Sequence, residues 1–372
     1  MIGLSSYITK EYRILLSVNM VFNISMIYGS RIFFSQTFNY DDDFSRYYQN
    51  YLDIYDGIHG AMFANRNGYE IGLPIFYKII SLIFPKLFPQ NLLQITTFVM
   101  VILFYIWLEI YVIKYIKNSQ RAALIAFSLF FSFLMAIIGL TRQGFSCVFL
   151  LYAISNKDVR LKLLFLVISC LFHMSSLLVF IGFYIIFKFP KLSLCLFGIF
   201  LLLFLNNSYL INTSIIENGK SLYAFLPQQF FTYLTYYIKP IYSFDMFAHS
   251  VMKILLCLYI LFSFFILNPN DKLIKHYKIH ILICFIMYFM QIIPTRFFMV
   301  AFDLLFGFLL FLASRKFLML ALILLIPYFL RLMYLLIMYV ETSFQGEPLS
   351  YFYSYPEYSI YPFYYLFQGV LI

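Results

Sequence analysis

The sequence predicts an all-α, polytopic integral membrane protein, and three observations carry that prediction. Of its 372 residues, 63% are hydrophobic and only 11% charged, with a mean hydropathy of +0.87, whereas a soluble domain carries about 25% charged residues. The apolar residues gather in runs long enough for spanning helices of about 20 residues. The basic residues gather in the short segments between those runs. Together these exclude a soluble enzyme, a secreted disulfide scaffold and a single-anchor protein, and leave a transporter, a channel or a membrane-embedded enzyme.

Taken in order, the apolar runs predict about eleven spans, near 14–34, 92–113, 121–138, 139–156, 160–175, 176–190, 192–206, 247–267, 279–294, 297–313 and 317–340. Lys10 and Arg13 precede the first run and no small-residue cleavage pattern follows it, so it reads as an uncleaved span. With the N-terminus cytoplasmic, the inner segments receive Lys10/Arg13, Lys114/Lys117/Arg121, Lys157/Arg160/Lys162, Lys188/Lys191, Lys272/Lys275/Lys278 and Arg315/Lys316. These are fifteen of the 26 basic residues against three acids, Glu11, Asp158 and Asp271, which is a positive-inside bias. The outer side then receives 35–91, 207–246 and a tail 341–372, which hold most of the acids.

That orientation requires the stretch Leu73–Phe88 not to cross. It is short, bounded by Pro74 and Pro85, and carries Lys78 and Lys86, so it reads as a re-entrant or interfacial helix over 73–88 resting on protein. A twelfth span with inverted charge is the competing reading. No internal repeat and no Pro- or Gly-rich linker divides the chain, so 1–372 reads as one membrane domain. The net charge of +10 lies mostly in loops that set orientation and implies no nucleic-acid partner. The five cysteines lie inside apolar segments without a CxxC or a histidine at metal-ligand spacing, so neither a disulfide frame nor a metal site is expected. The 34 Tyr and 48 Phe fit sugar stacking and interfacial anchoring, but codon bias toward Phe, Tyr, Ile, Asn and Lys explains them more simply.

Charged groups at membrane depth cost about 2.5–3.5 kcal/mol at a helix centre and are functional candidates by default. Four positions stand out: Arg142 with Gln143, His173, Arg296, and Arg331 in the last span. The topology brings Arg142, His173 and Arg296 to one outer side, together with Asp41, Asp42, Asp43, Tyr47, Tyr51 and Glu70. Arginine forks bind phosphate oxygens bidentately, and a histidine or carboxylate beside them can take a proton from an attacking hydroxyl. The combination suits group transfer from a lipid-linked phosphate or pyrophosphate. Each residue also has a structural reading: Arg142 and Arg296 as interfacial anchors, His173 as a partner of Ser175 or Ser176, Arg331 as a partner of Asp303 and the Asp triplet as a solvated turn.

Asp41 to Asp43 with Tyr47 and Tyr51, then Tyr69-Glu70-Ile71-Gly72, Arg142-Gln143, His173-Met174-Ser175 and Arg296-Phe297-Phe298, follow one another along most of the chain. In this order and spacing the sequence resembles the EpsG-like, Wzy-type polysaccharide polymerases of bacterial inner membranes. Ile71 stands where that family usually has Pro in its Glu-Pro-Gly element.

The resemblance implies a GT-C-like membrane glycosyltransferase with its active side periplasmic. Such an enzyme moves a growing glycan from undecaprenyl pyrophosphate to the next lipid-linked repeat unit, inverting at the sugar carbon, with no cofactor and no metal. Arg142 and Arg296 would meet the donor pyrophosphate, and His173 would orient or deprotonate the acceptor hydroxyl, with Glu70 or an Asp of 41–43, Asp42 foremost, as the alternative base. Asp41, Asp43, Tyr47, Tyr51, Tyr69, Gln143, Ser175 and Arg331 would contact substrate. The partners implied are the lipid-linked donor and acceptor and the bilayer, with a chain-length regulator as a further candidate and no nucleic acid. A lipid-linked oligosaccharide flippase and an O-antigen ligase are the rival readings.

Overall fold

A chain this apolar satisfies its backbone polar groups most cheaply within helices, and every regular element among the described residues is helical. The computed structural model describes residues 8–29, 43–65, 68–132, 141–199, 255–267, 272–289, 299–315, 323 and 325–326. The helices divide into two compact units, one formed from 1–178 and 302–372 and the other from 179–301.

In the first unit, α1 (Lys10–Gly29) lies against α4 (Pro89–Trp107), which continues through a π turn and a 3₁₀ turn to Tyr115. Pro89 occupies the first turn of α4, where its missing N–H leaves no bond unmade. The helices α6 (Thr141–Ser155) and α7 (Val159–Phe172) form a tight pair. Small residues allow that approach: Ser169 Oγ donates to the carbonyl of Ser146 at 2.7 Å, and the two hydroxyls lie 3.1 Å apart. Asp158 caps α7 by accepting from the Arg160 N–H at 2.9 Å. Trp107 Nε1 donates to Ser155 Oγ at 3.0 Å, and Tyr152 Oη to the Leu103 carbonyl at 2.8 Å, joining α4 to α6. Helix α5 (Arg121–Phe130) packs on α12 (Phe306–Ser314), where Gly307 leaves room for the Phe127 carbonyl that any side chain would strike.

Two shorter elements prepare the site. Helix α2 (Asp43–Tyr55) is amphipathic, burying Phe44, Tyr47, Asn50, Tyr51 and Ile54 at helical spacing, and it packs on α3 (Gly72–Ile83). Tyr51 Oη accepts from the Leu87 N–H at 3.0 Å and Tyr48 Oη donates to the Leu87 carbonyl at 3.1 Å, fixing the chain between α3 and α4 to α2. Helix α3 has 12 residues, about 18 Å at ~1.5 Å per residue, well short of a hydrocarbon core of ~30 Å. It ends at the extended Phe84. It buries Leu73, Tyr77 and Ile80 on one side while Ile75, Ile79, Leu82 and Ile83 lie exposed on the other.

The second unit holds the main part of α8 (Ser176–Lys188), then α9 (Pro190–Ile199), α10 (Leu255–Leu267) and α11 (Lys272–Phe289). Helices α8 and α9 meet at an angle of 115°. Buried His280 lies against Phe183, with ring centroids 4.0 Å apart, and against Phe187.

The all-α prediction stands among the described residues, but eleven full spans do not appear there. One helix, Asn91–Tyr115, is long and apolar enough to cross a bilayer, and the bent α8–α9 pair passes the same test only when its halves are joined. The expected spans 139–156 and 160–175 correspond to α6 and α7, with 15 and 14 residues. Hydropathy marks where a chain is apolar, not where its helices break. The segments 207–246, 341–372 and almost all of 317–340 lie outside the described residues. All five cysteines are free thiols: Cys147, Cys257 and Cys284 are buried, Cys170 is half-buried and Cys195 is exposed.

Candidate active site

Gly68 opens the local geometry. Its φ of +86° is left-handed backbone that a side chain would strain, and the turn it makes delivers Tyr69 and Glu70 to the start of α3. Gly72 does the next step. A Cβ there would sit 2.9 Å from both the Phe172 ring and the Phe172 backbone nitrogen, so only glycine lets the N-terminus of α3 reach the C-terminus of α7. At that end His173 leaves the helix in extended conformation, its N–H still bonded to the Ser169 carbonyl. Ser176 Oγ donates to the His173 carbonyl at 2.8 Å and secures the break.

These two close approaches bring Glu70 to the centre of a buried cluster. Its side chain is fully buried. Glu70 Oε2 accepts from Arg142 Nη1 at 2.7 Å, and Oε1 accepts from His173 Nδ1 at 2.9 Å and from the Met174 N–H at 3.1 Å. Burial raises the Glu70 pKa, but the hydrogen bond and charge of His173, the Arg142 guanidinium and the Met174 N–H outweigh it and hold the carboxyl below its ordinary value of 4.5. Glu70 is therefore an acceptor-only carboxylate at neutral pH, and the proton in the His173 bond sits on Nδ1. In the neutral ring that leaves the lone pair on Nε2.

Arg142, in the first turn of α6, is held from a second side. Its Nε donates to Tyr47 Oη at 3.0 Å, and its guanidinium carbon lies 5.1 Å from the centre of the Tyr47 ring. Its side chain keeps 20% of its surface exposed. Tyr77 of α3 is fully buried, close enough to Tyr47 and Arg142 to feel their charges, and its Oη has no hydrogen-bond partner among the described residues. Aromatic contacts from Tyr77 to Tyr51 and from Phe145 to Phe76 and Phe172 wall the cluster on its protein side.

Of the residues expected to act, the structure thus brings together Tyr47, Glu70, Arg142 and His173. Glu70 is bonded to both Arg142 and His173. The histidine's partner is Glu70 in place of Ser175, while Ser176 holds the backbone. Gln143 is buried beside Arg142, Tyr51 packs behind the cluster on Tyr77, and Tyr69 is 69% exposed. Asp43 begins α2. Asp41, Asp42, Arg296 and Arg331 lie outside the described residues, and with Arg331 its proposed pairing with Asp303. Tyr77 was not marked by the sequence; its place within 73–88 was read as apolar helix, and only the polar end of a buried tyrosine signals a role. No group of three or more His, Cys, Asp or Glu suited to a metal ion occurs among the described residues.

Comparison with protein-family models, curated proteins and solved structures gives no match to this chain.

Proposed function

We propose that this protein is a membrane-embedded glycosyltransferase that extends a lipid-linked glycan, in line with its resemblance to the EpsG-like, Wzy-type polymerases. The observation that carries the reading is the Glu70 carboxylate holding His173 by Nδ1 and Arg142 by Nη1 at once. A histidine so held has a fixed tautomer and an Nε2 able to accept a proton, and the imidazolium that forms is stabilised by the same carboxylate.

In this mechanism the acceptor sugar's hydroxyl oxygen attacks the anomeric carbon of the donor glycan. The bond from that carbon to the undecaprenyl pyrophosphate oxygen breaks, and its electron pair leaves on the pyrophosphate. The hydroxyl proton passes to His173 Nε2 and then to water. Arg142, pinned by Glu70 and Tyr47 but partly exposed, meets the charge growing on the leaving group. Arg296 is proposed as a second cation for that charge, and Gln143, Ser175, Tyr69 and Asp41 to Asp43 as contacts to the glycan. Direct displacement inverts the sugar carbon.

The bilayer as solvent is supported by apolar surface that a soluble chain would not leave bare. Along α7, Val159, Leu161, Leu163, Leu164 and Val167 are exposed, and along α8, Leu177, Leu178, Ile181 and Ile185. The proposed arrangement is multi-pass in a bacterial inner membrane with the N-terminus cytoplasmic and the Glu70 cluster outside. The glycolipid profile of a deletion strain tests the function. Single repeat units on the final lipid are expected; long polymer retained on undecaprenyl pyrophosphate would instead mean a ligase, and repeat units trapped on the cytoplasmic face a flippase.

A further inference from the structure

At the other end of the first unit, α1, α4 and α5 enclose a cleft of about 550 Å³ lined by Lys10, Arg13, Ile14, Tyr105, Glu109, Ile110, Ile113 and Arg121. Its floor is a buried, bidentate ion pair: Arg13 Nη2 donates to Glu109 Oε2 at 2.8 Å and Arg13 Nε to Oε1 at 3.1 Å, with Tyr105 Oη donating to Oε1 at 3.0 Å. That pair neutralises itself. Two cations remain on the rim. Arg121 spends its Nε on the Ile116 carbonyl, and among the described residues neither Lys10 nor Arg121 pairs with a carboxylate. Among the described residues the cleft therefore holds two cations without an ion-pair partner, Lys10 feeling the neighbouring Glu11 only through its charge, beside an apolar wall of Ile14, Ile110 and Ile113.

A ligand that fits must carry negative charge at one end and hydrocarbon at the other. We propose that the cleft binds the phosphodiester headgroup of an anionic phospholipid, with its phosphate between Lys10 and Arg121 and the start of its acyl chains on the three isoleucines. The surroundings agree with that occupant, since Leu15, Leu16 and Val18 of α1 and Ile106 and Ile110 of α4 are exposed beside it. In the orientation proposed above, this end faces the cytoplasm, where anionic lipids draw basic residues at about 1 kcal/mol each. The inference rests on the membrane placement of the chain but not on glycosyl transfer.

Thermal unfolding of the full-length protein in detergent tests it, with dioctanoyl phosphatidylglycerol, dioctanoyl phosphatidylcholine and inorganic phosphate as probes. The expected result is saturable stabilisation by phosphatidylglycerol, little by phosphatidylcholine, and an apparent affinity weakened about fivefold by Lys10→Gln and by Arg121→Gln. Lys10 is exposed and its side chain makes no hydrogen bond or ion pair among the described residues, so Lys10→Gln keeps the test open if Arg121→Gln is unstable. Equal stabilisation by the two lipids, or an unchanged response of Lys10→Gln, would overturn the site. Inorganic phosphate acting at the same concentrations as the lipid would overturn the lipid assignment in favour of a soluble phosphate. The readout is lipid affinity, so loss of the polymerase reading would leave this result standing.

Discussion

Glu70 and His173 are 103 residues apart in the chain, yet Glu70 Oε1 and His173 Nδ1 stand 2.9 Å apart in a buried hydrogen bond. The same carboxylate holds Arg142 on its other oxygen. One side chain therefore fixes both the proposed base and the proposed phosphate cation, and the consequences of altering it are specific.

Glu70→Gln leaves Arg142 partly buried without its counter-charge. Breaking such a pair by removing one partner costs about 3 kcal/mol, so the thermal midpoint falls. The pH dependence follows from the lowered carboxyl pKa. A depressed carboxylate contributes stability that is fully present above its unfolded value, near 4.5, and is lost as pH falls through the folded value. The gap in midpoint between wild type and Glu70→Gln then narrows as pH falls below that value. A gap that stayed constant into acid would remove Glu70 as the charged tie.

His173→Gln keeps a side chain able to donate to Glu70 but offers no basic ring nitrogen. Its transfer rate falls by about 10²–10⁴, while its thermal midpoint stays close to wild type. A parallel loss of both would assign His173 to structure alone.

Much of this cluster was legible in the sequence because buried charge is rare and conspicuous in an apolar chain. Arg142 and His173 stand out for that reason, and the expected topology puts Glu70 of the outer segment 35–91 on their side. What the sequence did not carry was who partners whom. Glu70 read as a competing base because nothing local shows that the Gly72–Phe172 contact will press it against His173. Helix length was also hidden. The apolar run from 160 to 206 continues through the break at His173 and the sharp bend between Lys188 and Pro190, so hydropathy alone overstated how far each helix reaches. Tyr77 is lost among 34 tyrosines because only a buried hydroxyl without a hydrogen-bond partner among the described residues distinguishes it.

Gly72→Ala tests the packing that assembles the site. The added methyl would meet the Phe172 backbone as well as its ring, and repacking the ring relieves only half of that. The expected cost is about 1–3 kcal/mol, with transfer activity reduced because α3 carries Glu70 away from His173. Unchanged stability and activity would show that α3 and α7 have slack at this contact.

Lys86, exposed and paired at the surface with Asp56, its ammonium 5.8 Å from the centre of the Tyr55 ring, reports the side on which the α3–α4 connection lies. In a background with Cys195→Ser, Lys86→Cys is expected to react with a membrane-impermeant maleimide from outside the cell. Surface pairs of this kind contribute at most about 1 kcal/mol, so the change leaves the fold intact. Labelling only after the cytoplasm is opened would invert the orientation and place the Glu70 cluster inside.

Reconstitution measures glycosyl transfer by the Glu70-held histidine and arginine. Purified wild type, His173→Gln and Arg142→Ala are placed in liposomes with an undecaprenyl pyrophosphate-linked repeat unit. Products are then resolved by gel. Lipid-linked chains of two or more repeats are expected with wild type, and the unextended unit with either variant. No extension by folded wild-type protein, or a wild-type ladder from His173→Gln, would rule out transfer by this cluster.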